Sequence, residues 1–293
     1  MKKFMIITNT GKDEGLELTN RIKKYIEDKG GSCVIKERGT TAGSNDKISA
    51  DVAGPVDCAL VLGGDGTIVR AARDMTGTPI PIIGVNLGSL GYLCDVDQDH
   101  VFDAVDRIMG DVFEIEDRVK LMGSIIMDGE SISTHTALND VVVYRAGNLQ
   151  IVSLNVYING QYLCNYNADG LIIATPTGST AYSMSAGGPI VDPKAELMVL
   201  TPVNPQTTNA RSIVISSRDE VSVEVMRRNR GNNRHDESVE IAFDGDNIAR
   251  IHIGDRIVIR KAPEMSRFLK LSQVSFIDRL QKKIESYNDR GTR

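Results

Sequence analysis

The chain of 293 residues is poor in several features that would mark particular protein classes. Its four cysteines, Cys33, Cys58, Cys94 and Cys164, are scattered without a CxxC pair, which argues against a disulfide framework and fits a reducing, cytoplasmic setting. Its four histidines, His100, His135, His235 and His252, show neither HxxxH nor HExxH spacing, so no structural zinc site is expected. Positive charge is not in excess. Lys and Arg number 34 against 39 Asp and Glu, a net charge of −5 that argues against a nucleic-acid partner. No apolar run approaches the roughly 20 residues of a membrane span. The opening MKKFMIITNTGK carries too short an apolar run for a signal peptide and reads as a first strand.

With 41% hydrophobic residues the composition is that of an ordinary globular protein, long enough for roughly two domains. The first part alternates. FMIITN, CVIKER, DCALVLGG and PIPIIGVN read as strands. Between and after them, GLELTNRIKKYIEDKGG, TIVRAARDM and HVFDAVDRIM have helical spacing, with Leu16, Ile22 and Ile26 predicted on one face of the first helix. Strands alternating with helices imply a parallel sheet with right-handed crossovers. From about residue 118 the period changes to two, and VSLNVYINGQYLCNY reads as a hairpin turning at Asn159-Gly160. The segments ALNDVVVYR, SIVISSRDEVSVEVM and SVEIAFDGDNIARIHIGDRIVIRKA repeat that signal. The tail SFIDRLQKKIESY returns to helical spacing at Phe276, Leu280, Ile284 and Tyr287 and needs a surface to pack on. The expected fold is therefore α/β plus all-β. A Rossmann-like parallel α/β domain spans 1–118, with a C-terminal helix (270–293) packing back on it, and a β-sandwich-like domain spans 119–269. RRNRGNNRHDE (227–237) reads as a solvated hairpin tip.

VLGGDGTIVR follows an apolar strand and opens a helix, the place where open α/β sheets bind ligands and where a helix start favours phosphate. It is neither a Walker A loop nor a GxGxxG fingerprint. The bland reading of Asp65 is an Asx-type turn between glycines. A phosphate in the turn changes the argument. Two like charges 4 Å apart cost about 4 kcal/mol at an effective dielectric of 20, and a helix dipole offsets only about 0.3–2 kcal/mol. Asp65 then either faces away from the phosphates, toward a second substrate, or shares Mg²⁺ with them; both suit phosphoryl transfer. A second turn, GVNLGSLGYL, follows the next strand and reads mainly as a tight connection with Leu90, Tyr92 and Leu93 packing inward.

The run NADGLIIATPTGSTAYSMSAGGPIV (167–191) concentrates hydroxyls at Thr175, Thr177, Ser179, Thr180, Ser183 and Ser185 among glycines. With Asn139, Asp140 and Asp169 at strand ends, it offers partners for ribose hydroxyls and an adenine edge. Hydroxyl recognition of this kind discriminates strongly, because an analogue lacking a partner leaves polar groups unpaired.

GGDGT, RAARDM, PIIGVNLGSLGYL, ALND, DGLIIATPTGSTAYSMSAGGPI, FDG and FIDRLQKK occur in this order over about residues 55–285. Together they resemble the NAD kinase family. GGDGT alone is shared with lipid kinases and, with variation, with 6-phosphofructokinases. The resemblance implies phosphoryl transfer from ATP, or polyphosphate in some members, to the adenosine 2′-hydroxyl of NAD, with a divalent metal such as Mg²⁺. It implies that Asp65 is the catalytic aspartate and that Gly63, Gly64, Gly66 and Thr67 line the phosphate side. By the same resemblance Asp65, Gly66, Asn139, Asp140, Asn167, Asp169, Thr180, Ala181, Tyr182, Ser183, Ser185 and Asn204 contact NAD. It also implies a homodimer or homotetramer. Ser89, Asp246 and the NPQTTNARSIVI segment depart from the commoner family residues and bear on pocket details. A lipid or sugar kinase would lack use for the hydroxyl-rich loop, and a dinucleotide sensor would not need a carboxylate in the glycine turn.

Overall fold

Strands buried on both faces read as unbroken apolar runs, and three such runs build the centre of the first sheet. They are β1 (Lys3–Asn9), β3 (Cys58–Gly63) and β4 (Ile82–Asn86), with β2 (Ser32–Arg38) on the outer side of β1. In the computed structural model, which describes residues 1–38, 56–88, 91–147, 151–207, 209–227, 238–272 and 274–290, these four strands are parallel in the order β2-β1-β3-β4. The sheet is completed by β5 (Cys94–Asp97) beside β4, by β6 (Glu114–Arg118), and by the last strand of the chain, β19 (Ser266–Lys270).

The chain divides into two compact units, one of Met1–Asp117 with Ser266–Arg293 and one of Arg118–Met265. In the first, helices α1 (Glu17–Asp28), α2 (Asp65–Asp74) and α3 (Val101–Met109) follow β1, β3 and β5. Ile22 and Ile26 of α1 and Val101, Val105 and Ile108 of α3 are buried in one core with Phe4, Ile6 and Leu60. Leu16, expected on the apolar face of α1, precedes that helix with a left-handed φ of 57°. The start is set instead by Asp13, whose carboxylate accepts the amides of Leu18 and Thr19.

The tail helix α5 (Phe276–Arg290) also differs from its periodicity. Ile284 is exposed, Phe276 and Leu280 are half-buried, and the buried member is Arg279. Its guanidinium donates to the Cys94 carbonyl and to Asp95. Asp95 also accepts Lys270 Nζ at 2.7 Å and the amides of Leu271 and Ser272 at 2.7 and 2.9 Å. Burial opposes its charge, but the Lys270 and backbone hydrogen bonds win and hold its pKa down to about 2.

The second unit alternates buried and half-buried residues, as in β15 (Val221–Met226) and β16 (Ser238–Phe243). Its first sheet has β7 (Leu121–Met127), β8 (Glu130–Ala137), β10 (Val152–Ile158), β11 (Gln161–Ala168), β15 and β18 (Arg256–Lys261), in the order β11-β10-β15-β18-β7-β8. Its second has β9 (Asp140–Arg145), β12 (Gly170–Ala174), β13 (Leu197–Val203), β14 (Ile213–Ser216), β16 and β17 (Asp246–His252), in the order β14-β13-β12-β9-β16-β17. Inward residues of both sheets, among them Val143, Leu154, Leu171, Val223 and Phe243, share one core. A parallel α/β sheet and an antiparallel β-sandwich are the expected classes. The β10–β11 hairpin turns at Asn159 and Gly160, both with positive φ (52° and 78°), the geometry Asn-Gly favours. Residues 228–237 of the hairpin tip predicted at 227–237, and Ser89 and Leu90, lie outside the described residues.

Candidate functional site

In the first unit, parallel pairing brings the carboxyl ends of β1, β3 and β4 side by side, at Asn9, Gly63 and Asn86. Gly63 and Gly64 lead into α2, which starts at Asp65, and among the described residues no side chain caps that start. The Thr67 amide donates to the Gly64 carbonyl at 2.9 Å, which leaves the amides of Asp65 and Gly66 for an incoming acceptor. Thr67 folds back on Gly63 so closely that a Cβ there would lie 2.4 Å from its hydroxyl, and Asn9 Nδ2 donates to that hydroxyl at 3.3 Å. A Cβ on Gly66 would meet nothing within 4 Å, and its φ is not positive. Neither packing nor backbone conformation requires glycine there; what it leaves is open approach.

The Asp65 carboxylate faces the second glycine turn, where it accepts the Tyr92 amide at 2.7 Å and the Leu93 amide at 3.1 Å. Gly91 makes room for it, since a Cβ there would lie 2.0 Å from Asp65 Oδ1. The GYL segment thus holds the aspartate as well as packing, a role that motif reading missed. The signal was present as two glycine turns on adjacent parallel strands. A carboxylate has about four acceptor positions, so two remain after the amides are placed.

In the second unit, Asn139 and Asp140 enter β9 under a carboxylate that sequence reasoning did not assign. Asp244 of the FDG turn, itself at a φ of 51°, accepts the amides of Leu138, Asn139 and Asp140 at 2.8, 2.7 and 3.3 Å. Thr175 closes the other side: its hydroxyl donates to the Leu138 carbonyl at 2.6 Å and its amide to the Asn139 carbonyl at 2.8 Å. Gly178 lies against the same carbonyl, where a Cβ would come within 2.0 Å of oxygen. Asp140 is 4% exposed. Burial, and then the charge of Asp244, push its pKa up to about 7.

Strand register separates the polar residues into two groups. Asp140 pairs with Ala174 at one end of the β9–β12 ladder, and Gly170, next to Asp169, pairs with Tyr144 at the other. Asp169 lies 2.9 Å from Arg145 Nε and accepts Asn204 Nδ2 at 2.9 Å. Tyr182 links the groups: burial raises its pKa, and Tyr144, Asp169 and Asp140 raise it further. It begins α4 (Tyr182–Ser185), with Ala181 as its N-cap and the Ala181 carbonyl accepting the Ser185 amide. The Asn167 side chain donates to Asn165 at the surface.

Within the hydroxyl-rich loop, several hydroxyls are turned inward. Ser179 donates to the Pro176 carbonyl, Thr180 to the Thr177 carbonyl, and Ser183, fully buried, shares a hydrogen bond of 3.1 Å with Thr201. Ser179 and Thr180 thus satisfy backbone carbonyls of an irregular segment lying over the outer face of β12 and β13, where Ala186 and Val191 pack on Ile172 and Val199.

Residues 4–113 match the model of the ATP-NAD kinase N-terminal domain, and residues 138–271 that of the ATP-NAD kinase C-terminal domain. The NAD kinase of Agathobacter rectalis is 47% identical over 289 residues, covering 98% of this chain and 100% of that protein. The chain belongs to the NAD kinase family. Another member, the NAD kinase of Lachnospira eligens, is 40% identical and aligns with 97% of this chain and 100% of its own. Among solved structures, a yeast NADH kinase complexed with NADH has the same fold, with a TM-score of 0.81 at 20% identity over 97% of this chain and 88% of that one. So does an Archaeoglobus fulgidus NAD kinase in complex with ATP, with a TM-score of 0.70 at 22% identity over 91% and 93%. The two NAD kinase domain models take in both glycine turns, Asn139, Asp140 and the hydroxyl-rich loop.

Proposed function

We propose that this NAD kinase family member transfers the γ-phosphoryl group of ATP to the 2′-hydroxyl of the adenosine ribose of NAD, forming NADP. The observation that carries the reading is the held orientation of Asp65 beside the uncapped start of α2. The amides of Tyr92 and Leu93 fix the carboxylate, and its remaining acceptor positions take the proton of an attacking hydroxyl. Gly63, Gly64, Gly66 and Thr67 shape the side on which the donor phosphates approach. Asn139, Asp140, Asp169, Tyr182 and Asn204 supply the polar partners of the dinucleotide, with Asp140 able to donate while protonated and accept when ionised.

Mg²⁺ keeps several waters and is held by one or two carboxylates plus substrate phosphates. The turn suits a metal that arrives on the donor phosphates with its own waters, because Asp65 is turned onto the Tyr92 and Leu93 amides. Among the described residues no group of three or more His, Cys, Asp and Glu side chains is placed to bind a metal. Bound there, the ion would neutralise charge developing on the phosphate oxygens.

The enzyme acts in the cytoplasm as a homo-oligomer in this reading; the scattered cysteines support the first, and Tyr162 and Leu163, exposed on the edge strand β11, support the second.

The test is incubation with ATP, Mg²⁺ and NAD and a dehydrogenase-coupled readout of NADP, with polyphosphate in a parallel arm. Asp65→Asn is expected to lose about 10²–10⁴ in rate while still binding NAD. Near-normal turnover by that variant would refute the base role. Stabilisation by NAD without product would make the protein a dinucleotide sensor instead.

A further inference from the structure

We propose that Lys12 is the cation that binds the phosphate chain of the donor, a substrate-binding residue outside the motifs considered above. This deepens the kinase reading and rests on it. Lys12 sits on the turn that leaves β1, and that turn is built rather than loose. The amides of Lys12 and Asp13 both donate to the Asn9 carbonyl, at 2.9 and 3.1 Å, and the Gly11 amide donates to Asn9 Oδ1 at 3.0 Å. The Asn9 amide group in turn donates to the Thr67 hydroxyl at 3.3 Å, tying the turn to the threonine of GGDGT. On its other side Asp13 is buried and locked to the amide and hydroxyl of Thr19, at 2.9 and 2.5 Å.

From this base the ammonium reaches across both glycine turns. A Cβ on Gly64 would lie 3.0 Å from Lys12 Nζ, and one on Gly88 would lie 3.3 Å from it. Neither glycine is required by its backbone. Gly64 is extended at φ −133° and ψ −173°, and Gly88 is not among the positive-φ glycines. Their missing side chains instead leave the ammonium, and whatever it binds, room to lie against the main chain. Among the described residues no carboxylate is within ion-pairing distance of this ammonium, and Asp65 is turned onto the amides of Tyr92 and Leu93. A positive point charge held over two glycine turns, with uncapped amides between them, is complementary to a polyphosphate chain. On its far side Lys12 borders an open cavity of about 750 Å³ whose lining includes Asp13, Glu14, Glu17 and Asp99, an acidic surface unsuited to phosphates, so the phosphate chain belongs on the side of the ammonium that faces the glycine turns. Lys12 is exposed, as a group that meets a diffusing nucleotide must be, and it differs from other surface lysines in the hydrogen-bonded turn beneath it.

The experiment compares the full-length enzyme with Lys12→Met and Lys12→Arg. NADP formation is measured against ATP at saturating NAD and Mg²⁺, and then against NAD at saturating ATP. Binding of the β,γ-imido analogue of ATP with Mg²⁺ is titrated in parallel. Loss of one charge-assisted contact predicts that Lys12→Met raises the KM for ATP, and the analogue's Kd, by about 10- to 100-fold, with the KM for NAD within about twofold. Lys12→Arg restores most of the loss. An ATP KM within about twofold of wild type in Lys12→Met overturns the assignment of Lys12 and leaves the kinase reading standing; ATP and NAD constants rising together would mark a structural role and overturn it equally. Wild-type protein that makes no NADP, yet binds the analogue more tightly than Lys12→Met does, would overturn the kinase reading and support Lys12. Absence of analogue binding by wild type would overturn both.

Discussion

Asp140 is a buried acid whose burial raises its pKa from 3.8 to about 7, and this makes the fold's response to pH calculable. Between those values the folded protein holds a proton that the unfolded chain releases. The contribution of Asp140 to stability therefore falls as pH rises through this window and is flat above it. The whole difference amounts to about 4 kcal/mol, of which somewhat over a third has accrued by pH 5. Asp140→Asn removes the ionisation and keeps the shape. Any effect of the amide itself is common to all pH values, so the informative quantity is the change in the difference between variant and wild type. From pH 5 to pH 8 that difference should move in favour of the variant by about 2–3 kcal/mol, or about 5–10 °C in Tm for a unit of this size. The assay is thermal unfolding of both ligand-free proteins at pH 5 and pH 8 in matched salt. A difference in Tm that does not change with pH, or that moves against the variant as pH rises, would refute the reasoning. It would mean that Asp140 is ionised in the fold and compensated by groups other than those that surround it here.

Two further substitutions probe the scaffold of the first unit. Gly91→Ala places a Cβ about where the Asp65 carboxylate now lies, 2.0 Å from Oδ1, so the carboxylate must leave the Tyr92 and Leu93 amides. NADP formation should fall about 10²-fold with an unchanged circular dichroism spectrum, and unaltered turnover would show that the held orientation is not needed. Asp95→Ala strips the acceptor from Lys270, Arg279 and the amides of Leu271 and Ser272. Urea unfolding should show a loss of about 3–5 kcal/mol, with faster proteolysis within α5; a loss of about 1 kcal/mol or less would mean that Asp95 acts as an ordinary surface ion pair.

The regular parts of this fold were legible because burial repeats along the chain. Six consecutive buried residues in β3 read as a parallel central strand, and strict alternation in β15 and β16 read as half-buried antiparallel ones. The tail helix shows where that logic stops: its buried residue is Arg279, because the partner that pays for burying it, Asp95, lies 184 positions away. The irregular parts follow a second rule. Asp13 takes the amides of Leu18 and Thr19, Asp57 those of Lys2 and Lys3, and Asp65 those of Tyr92 and Leu93. Asp95 takes the amides of Leu271 and Ser272, and Asp244 those of Leu138, Asn139 and Asp140. In each case a carboxylate gathers backbone N–H groups at the first residues of a helix or strand, or in the turn beside one, where the element's own hydrogen bonds do not reach. An amide has no side-chain signature, so the aspartates could be seen in the sequence while the atoms they hold could not. The same blindness explains the hydroxyl-rich loop, where Thr175, Ser179 and Ser183 looked like ligand contacts and are bonded inside the protein. It also explains why Asp65 was ambiguous from sequence. Whether a carboxylate in a glycine turn shapes the turn or acts beyond it depends on which amides it accepts, and here they belong to the neighbouring strand's turn, which leaves its own turn open.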